Sequence, residues 1–190
     1  MVSVTYSEET KSAIAKIIDN VILREGGYVD NPADSGGKTM YGITEKLARK
    51  HGFESPMHDL SRQWAIAIYT KEFWSVWLTP ILEISPRIAA EVFDTSVNCG
   101  PKTAYKFLQR SLNVLNRGET DYDNLKVDGI IGQKTVLAVS AYFEARKMTG
   151  EKALLTALNG LQTAYYIGLC EKRPKDETFI YGWLNHRILL

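Results

Sequence analysis

An eighteen-residue segment, GGYVDNPADSGGKTMYGI at 26–43, interrupts a chain whose patterning is otherwise helical. Six of its residues are Gly or Pro, and Asp and Asn are frequent, so it is turn and short-strand material. An irregular stretch this long inside a compact domain is more often functional than idle. On its N-terminal side Ile14, Ile17, Ile18, Val21 and Ile22 recur at helical spacing and predict an amphipathic helix over 7–24, with Ser7 as N-cap. That helix runs directly into Glu25-Gly26-Gly27, where the glycines stop it. Any fold of this chain must therefore close a long helix onto a loop, with a carboxylate at the junction.

Beyond the loop the helices resume. Thr44 caps a short one that ends at Gly52, and Ser61 caps another that runs to about Trp77. Ser85 followed by Pro86 opens a helix that ends near Asn98 and Gly100, and Pro101 opens the next, to about Leu115. Residues 116–124 are polar and loop-like, and VDGIIGQKT at 127–135 is a turn feeding a helix to about Lys147. In that turn Asp128-Gly129 makes the tight bend and Gly132 permits close chain approach, though a plain helix-to-helix connector reads the same way. Thr149 then caps a long helix to about Arg173, Pro174 ends it, and Asp176 caps the last. The expected class is α+β and mainly α-helical, with one small irregular or β segment. There is no internal repeat and no Pro/Gly/Ser-rich tether, so two lobes, 1–95 and 96–190, are expected to pack together.

Composition narrows the partners. A chain of 190 residues is long enough for a core without disulfide staples. Its two cysteines, Cys99 and Cys170, sit in helical apolar surroundings and read as free buried thiols. A net charge of +1 gives no bulk electrostatic case for nucleic acid or an anionic membrane. No run approaches the roughly 18 apolar residues that would cross a bilayer, and the N-terminus lacks the pattern of an export signal. A substrate outside the cytoplasm would then require a separate release partner. A monomer is expected.

The chemistry concentrates around Glu25. A carboxylate at a helix C-terminus meets the negative end of the macrodipole, which disfavours its ionised form. That is the direction a glycosidase general acid requires, since it must hold its proton near neutral pH; a solvated surface glutamate is the plainer reading. Asp34 and Asp30, in the glycine-rich segment, are the candidates for a second carboxylate across a cleft. Asp34 can equally shape the loop as an Asx-turn. Two decoys share the segment. Asp34-Ser35-Gly36-Gly37 is like the nucleophile motif of trypsin-like proteases, but those are all-β and this chain is helical. Gly37-Lys38-Thr39 is like the end of a P-loop, but Pro32 stands where that loop needs glycine. His51, His58 and His186 form no metal-ligand spacing, so neither a metal nor a cofactor is expected. Tyr28 and Tyr41 flank the loop. Trp64, Trp74 and Trp77 are placed on one helix, with Trp183 near the end; such aromatics stack on sugars or fill cores.

Glu25-Gly26-Gly27-Tyr28, then Asn31-Pro32, Asp34, Gly36-Gly37, Thr39 and Tyr41-Gly42-Ile43-Thr44 together resemble glycoside hydrolase family 108. Asp94, Asn98 and Gly100, Leu108-Gln109, Val127-Asp128-Gly129, Gly132 and Thr135 look like that family's C-terminal peptidoglycan-binding part, and Gly182-Trp183 and Arg187 like its closing segment. The resemblance implies a lysozyme-like fold and N-acetylmuramidase activity on bacterial peptidoglycan. It places catalysis on Glu25, Asp34 and Thr39. Substrate contacts would fall on Tyr28, Asn31, Gly36, Gly37, Tyr41, Asn98, Gln109 and Trp183. Phage-type lysozymes space Glu, eight residues, Asp, five residues, Thr; here the first gap is kept and the second is one residue shorter. The family also implies synthesis in the cytoplasm and action on the wall once a holin or similar partner opens the membrane. A wall-binding protein that lost catalysis and a stem-peptide amidase or peptidase are the alternatives from other classes.

Overall fold

The computed structural model describes residues 6–30 and 37–188. It is mainly helical with one small antiparallel sheet, the α+β class that the patterning predicts. The chain divides into two compact units, Met1–Trp74 and Ser75–Leu190.

In the first unit, helix α1 (Glu8–Glu25) starts where expected: the Ser7 hydroxyl accepts from the Thr10 amide, and Glu8 and Glu9 favour the positive end of the helix. Its apolar face, Ile14, Ile18, Val21 and Ile22, is buried, and α1 packs on α3 (Arg62–Phe73). From α3, Ala65, Ile68 and Tyr69 are buried in the same unit. Three two-residue strands follow α1: β1 (Tyr28–Val29), β2 (Thr39–Met40) and β3 (Ile43–Thr44). Tyr28 pairs with Met40, Val29 with Thr39, Thr39 with Thr44 and Met40 with Ile43, so the sheet order is β1-β2-β3. Thr44 ends β3 and its hydroxyl caps α2 (Glu45–Lys50) by accepting from the Leu47 amide. The chain then makes a single 3-10 turn at Met57–Asp59 before Ser61 caps α3.

The second unit is all helix and loop: α4 (Leu78–Ile84), α5 (Pro86–Cys99), α6 (Pro101–Leu115), α7 (Gln133–Lys172) and α8 (Glu177–Arg187). The caps at Ser85 and the prolines opening α5 and α6 stand where the sequence put them. Two corrections follow. The helix after Ser61 does not reach Trp77. It stops at Phe73, because the backbone at Trp74 turns extended, and the Trp77 amide then bonds the Ser75 hydroxyl. The three tryptophans therefore do not share a helix, and a separate helix, α4, follows. The second concerns Thr149, whose hydroxyl donates to the Arg146 carbonyl instead of accepting from the next turn. The break itself is real: Lys147, at φ 54°, divides α7 into two helical segments. Across it the Tyr142 hydroxyl donates to the Gly150 carbonyl at 2.8 Å, and Gly150 lies so close to Arg146 and Tyr142 that a side chain would collide.

Candidate active site

Glu25 is the last residue of α1, and Gly26 ends the helix with φ 79°. The chain returns to it through the β2–β3 hairpin, whose two-residue turn is Tyr41-Gly42. Both turn residues have positive φ, 54° and 74°, as in a type I′ turn, whose twist matches that of the flanking strands. Gly42 is satisfied there at no steric cost, whereas Tyr41 is held in a region that side chains disfavour. The turn lies directly against the Glu25 side chain. A Cβ on Gly42 would sit 2.7 Å from Glu25 Cγ and 2.8 Å from both Cδ and Oε2. From the other side, the buried Tyr69 on α3 donates its hydroxyl to the Tyr41 carbonyl at 2.8 Å. The carboxylate is thus carried by a helix end, backed by a turn with no side chain at the point of contact, and the turn is tied to a second helix.

The neighbouring loop begins in the same place. Tyr28, on β1, is 41% exposed and donates to Asp30 Oδ2 at 3.3 Å, and Lys38 Nζ stands 4.0 Å from that oxygen. Partial burial and the Asp30 carboxylate raise the Tyr28 phenol above its ordinary range. The ring also meets His58 edge-on, with centroids 6.0 Å apart. Thr39 is half-buried in the middle strand, and Gly37 enters that strand with φ 69°. Asp34, Asn31 and Gly36 lie outside the described residues. Glu25, Tyr28, Asp30, Thr39 and Tyr41 are thus all carried by the same helix end and three-stranded sheet.

The remaining candidates belong to the second unit. Asn98, in the last turn of α5, donates to the Asp94 carbonyl and carboxylate at 2.8 and 3.0 Å. One turn earlier Glu91 is 1% exposed and accepts from Thr95, which also bonds Gln162. Nothing in the sequence pattern singled Glu91 out, since a glutamate on an apolar helix reads as solvated until burial is known. Burial raises the Cys99 thiol to about 11, and both cysteines are free. Gln109 is buried, and its amide is spent on the 128–130 turn: it donates to Asp128 Oδ1 and the Ile130 carbonyl and accepts from the Gly129 amide. Close approach in this turn occurs at Gly129, where a Cβ would lie 2.6 Å from the Lys102 carbonyl, and not at Gly132, which faces open space. Trp183 packs on Tyr166 and Phe179, with centroids 5.2 and 6.1 Å away, and so joins α8 to α7. Among the described residues no group of His, Cys, Asp or Glu could hold a metal ion, and no helix is long and apolar enough to cross a membrane.

A carboxylate-bearing helix end closed by a small antiparallel sheet, followed by a helical half, is the lysozyme-like arrangement of glycoside hydrolases. Residues 18–100 match the family described as Glycosyl hydrolase 108, and residues 103–188 match a Predicted Peptidoglycan domain. The first half of the chain is thus similar to glycosyl hydrolase family 108 and the second to a peptidoglycan domain: the protein is a glycoside hydrolase, and peptidoglycan is its substrate class. Asp94, Asn98 and Gly100, which looked like part of the peptidoglycan-binding half, fall inside the hydrolase match instead. A solved structure, described as the structure of Brucella abortus SagA, superposes with a TM-score of 0.65 at 28% identity, over 92% of this chain and 89% of that one. No curated protein matches the chain.

Proposed function

We propose that this protein is an N-acetylmuramidase that hydrolyses the β-1,4 bond between N-acetylmuramic acid and N-acetylglucosamine, with Glu25 as general acid. The observation that carries the reading is the seating of Glu25 against Gly42. A general acid must be fixed within hydrogen-bond reach of the leaving oxygen, and a carboxylate wedged between a helix end and a tied turn loses little freedom on meeting it. Asp34 then activates water or supports the oxocarbenium charge, with Asp30 the alternative and Thr39 the remaining member of the catalytic set. Tyr28, Asn31, Gly36, Gly37 and Tyr41 contact sugar along the loop. The catalytic part extends through α5 to about residue 100 and includes Asn98. The wall-binding part is the half that follows, in which Gln109 and Trp183 contact or support the bound polymer.

The test is end-group analysis of digested peptidoglycan. The wild-type protein should release new muramic acid reducing ends. Glu25→Gln, folded by circular dichroism, should release none, because an amide cannot donate the proton. New amino groups in place of reducing ends would mean a stem-peptide amidase or peptidase, and near wild-type clearing by Glu25→Gln would remove Glu25 from the mechanism.

A further inference from the structure

Between α6 and α7 the chain runs through residues 116–132 without a helix or strand. It is nevertheless held rigidly, by a ladder of amides on one face of α6. Gln109 grips the Asp128–Ile130 turn from both ends of its amide. One turn on, Asn113 donates to the Leu125 carbonyl and accepts from the Leu125 amide, both at 2.8 Å. Asn116, fully buried, does the same to Tyr122, accepting from its amide at 3.1 Å and donating to its carbonyl. Positions 109, 113 and 116 fall at helical spacing, so three side chains stand in for a neighbouring strand. A loop that only linked two helices would not require such fixing, and long ordered loops on rigid supports are where binding residues concentrate.

What the ladder fixes is one wall of a cavity of about 850 Å³, whose other wall is the start of α7. That is the size of a site for a small ligand. Its aliphatic surface comes chiefly from Ile130, 70% exposed, and Leu137, 59%, with Ala138 and Ala141 beside them, and most of the other lining residues are polar. Charges of both signs stand around them, with Lys126 and Lys134 opposed by Asp123 and Glu144. Tyr122 is the one aromatic residue in the lining, and its hydroxyl is committed to the Leu112 carbonyl at 2.7 Å.

We propose that this cavity binds the peptide stem of peptidoglycan and not its glycan. Sugars are bound on open aromatic faces, and this lining has one aromatic residue, Tyr122, while its many hydrogen-bonding groups suit a peptide backbone equally well. A stem peptide carries alanine methyls, free carboxylates and, in its diamino acid, an amine. Those groups match small aliphatic pockets, lysines and acidic side chains respectively. The second half of the chain would thus hold the wall by its peptides while the first half acts on its sugars. The inference rests on peptidoglycan being the polymer, and is independent of whether Glu25 cleaves it.

The experiment uses the full chain carrying Glu25→Gln, so that no ligand is consumed, with calorimetry and amide NMR. The probes are a sugar-free stem tetrapeptide and peptide-stripped glycan strands. The tetrapeptide should bind and shift the resonances of Ile130, Leu137 and Ala141. Leu137→Glu and Ile130→Asp, both at exposed positions, should weaken it at least tenfold without lowering the melting temperature. Absence of tetrapeptide binding, binding insensitive to both substitutions, or glycan strands shifting these resonances would each overturn the assignment. Reducing-end release by the wild type separates the two readings. Release without tetrapeptide binding removes the cavity assignment alone, whereas binding without release removes the muramidase reading and leaves the cavity assigned.

Discussion

Gly42 acts by having no side chain. A methyl group there would lie 2.7 Å from Glu25 Cγ, and φ 74° would be strained for alanine as well. The left-handed backbone alone costs an L-residue about 1–2 kcal/mol. Gly42→Ala should therefore lower the melting temperature modestly but reduce wall lysis by roughly 10²-fold, because displacing a catalytic group by about an ångström has that effect. Equal activity with unchanged stability would mean that the turn does not position Glu25. Tyr41 presents the converse case. Asparagine suits the first position of a type I′ turn far better than tyrosine, so Tyr41 at φ 54° is held at a cost that a contact between its ring and substrate would explain. Tyr41→Asn should stabilise the protein by about 0.5–1 kcal/mol and still lose activity on polymeric substrate. A variant that is more stable and fully active would remove Tyr41 from the substrate contacts.

At the scale of elements, the helices were legible because their signals are local. Ser7, Thr44, Ser61 and Ser85 each cap the helix expected of them, and the apolar face of α1 has helical period. The place of Glu25 at a helix end was legible for the same reason, since the helix end and its glycines lie together in sequence. The hairpin turn could have been found from Tyr41-Gly42, a residue-Gly pair between two short strands, but β2 and β3 hold only two residues each, too few to show alternation. Tyr69 and Glu91 could not have been found, because their roles depend on partners or burial distant in sequence. The contact joining α2 and α3 is also of this kind. Glu72 accepts from Lys50 at 2.8 Å and meets His51 Nε2 at 2.7 Å, and these partners, Lys50 first, hold its carboxyl below the usual carboxylate range. A lowered folded-state value gives stabilisation that is complete above the unfolded carboxylate range, near about 4.3, and lost as pH falls through the lowered value. Glu72→Gln should thus cost about 1–2 kcal/mol at pH 7, and the gap in melting temperature from wild type should narrow as pH drops below about 4. A gap of the same size at pH 3 would show that shape, not charge, joins the two helices.

For the whole molecule, the divisions do not coincide. The hydrolase match ends at residue 100 and the peptidoglycan match begins at 103, while the contacts divide the chain between Trp74 and Ser75. Helix α5 accounts for the difference. By sequence it belongs to the hydrolase, yet it packs on α4, α6 and α7. Its Ile88, Ala89, Val92 and Phe93 are at most 1% exposed. Burying an isoleucine, valine or phenylalanine contributes about 1.5–3 kcal/mol each, so these side chains together rival the roughly 5–15 kcal/mol that holds a typical domain folded. A boundary chosen from the motifs alone, after residue 95, cuts α5 before its last turn and removes α6 and α7 from its faces. A fragment 1–95 should accordingly be insoluble or lack a cooperative thermal transition. A fragment 75–190, which keeps α4 through α8 together, should be helical by circular dichroism and melt in a single transition, and 96–190 should not. Cooperative melting of 96–190 at the same temperature as 75–190 would show that α5 is dispensable to the second unit, and that its burial reports crowding in the native chain instead of the stability of that unit.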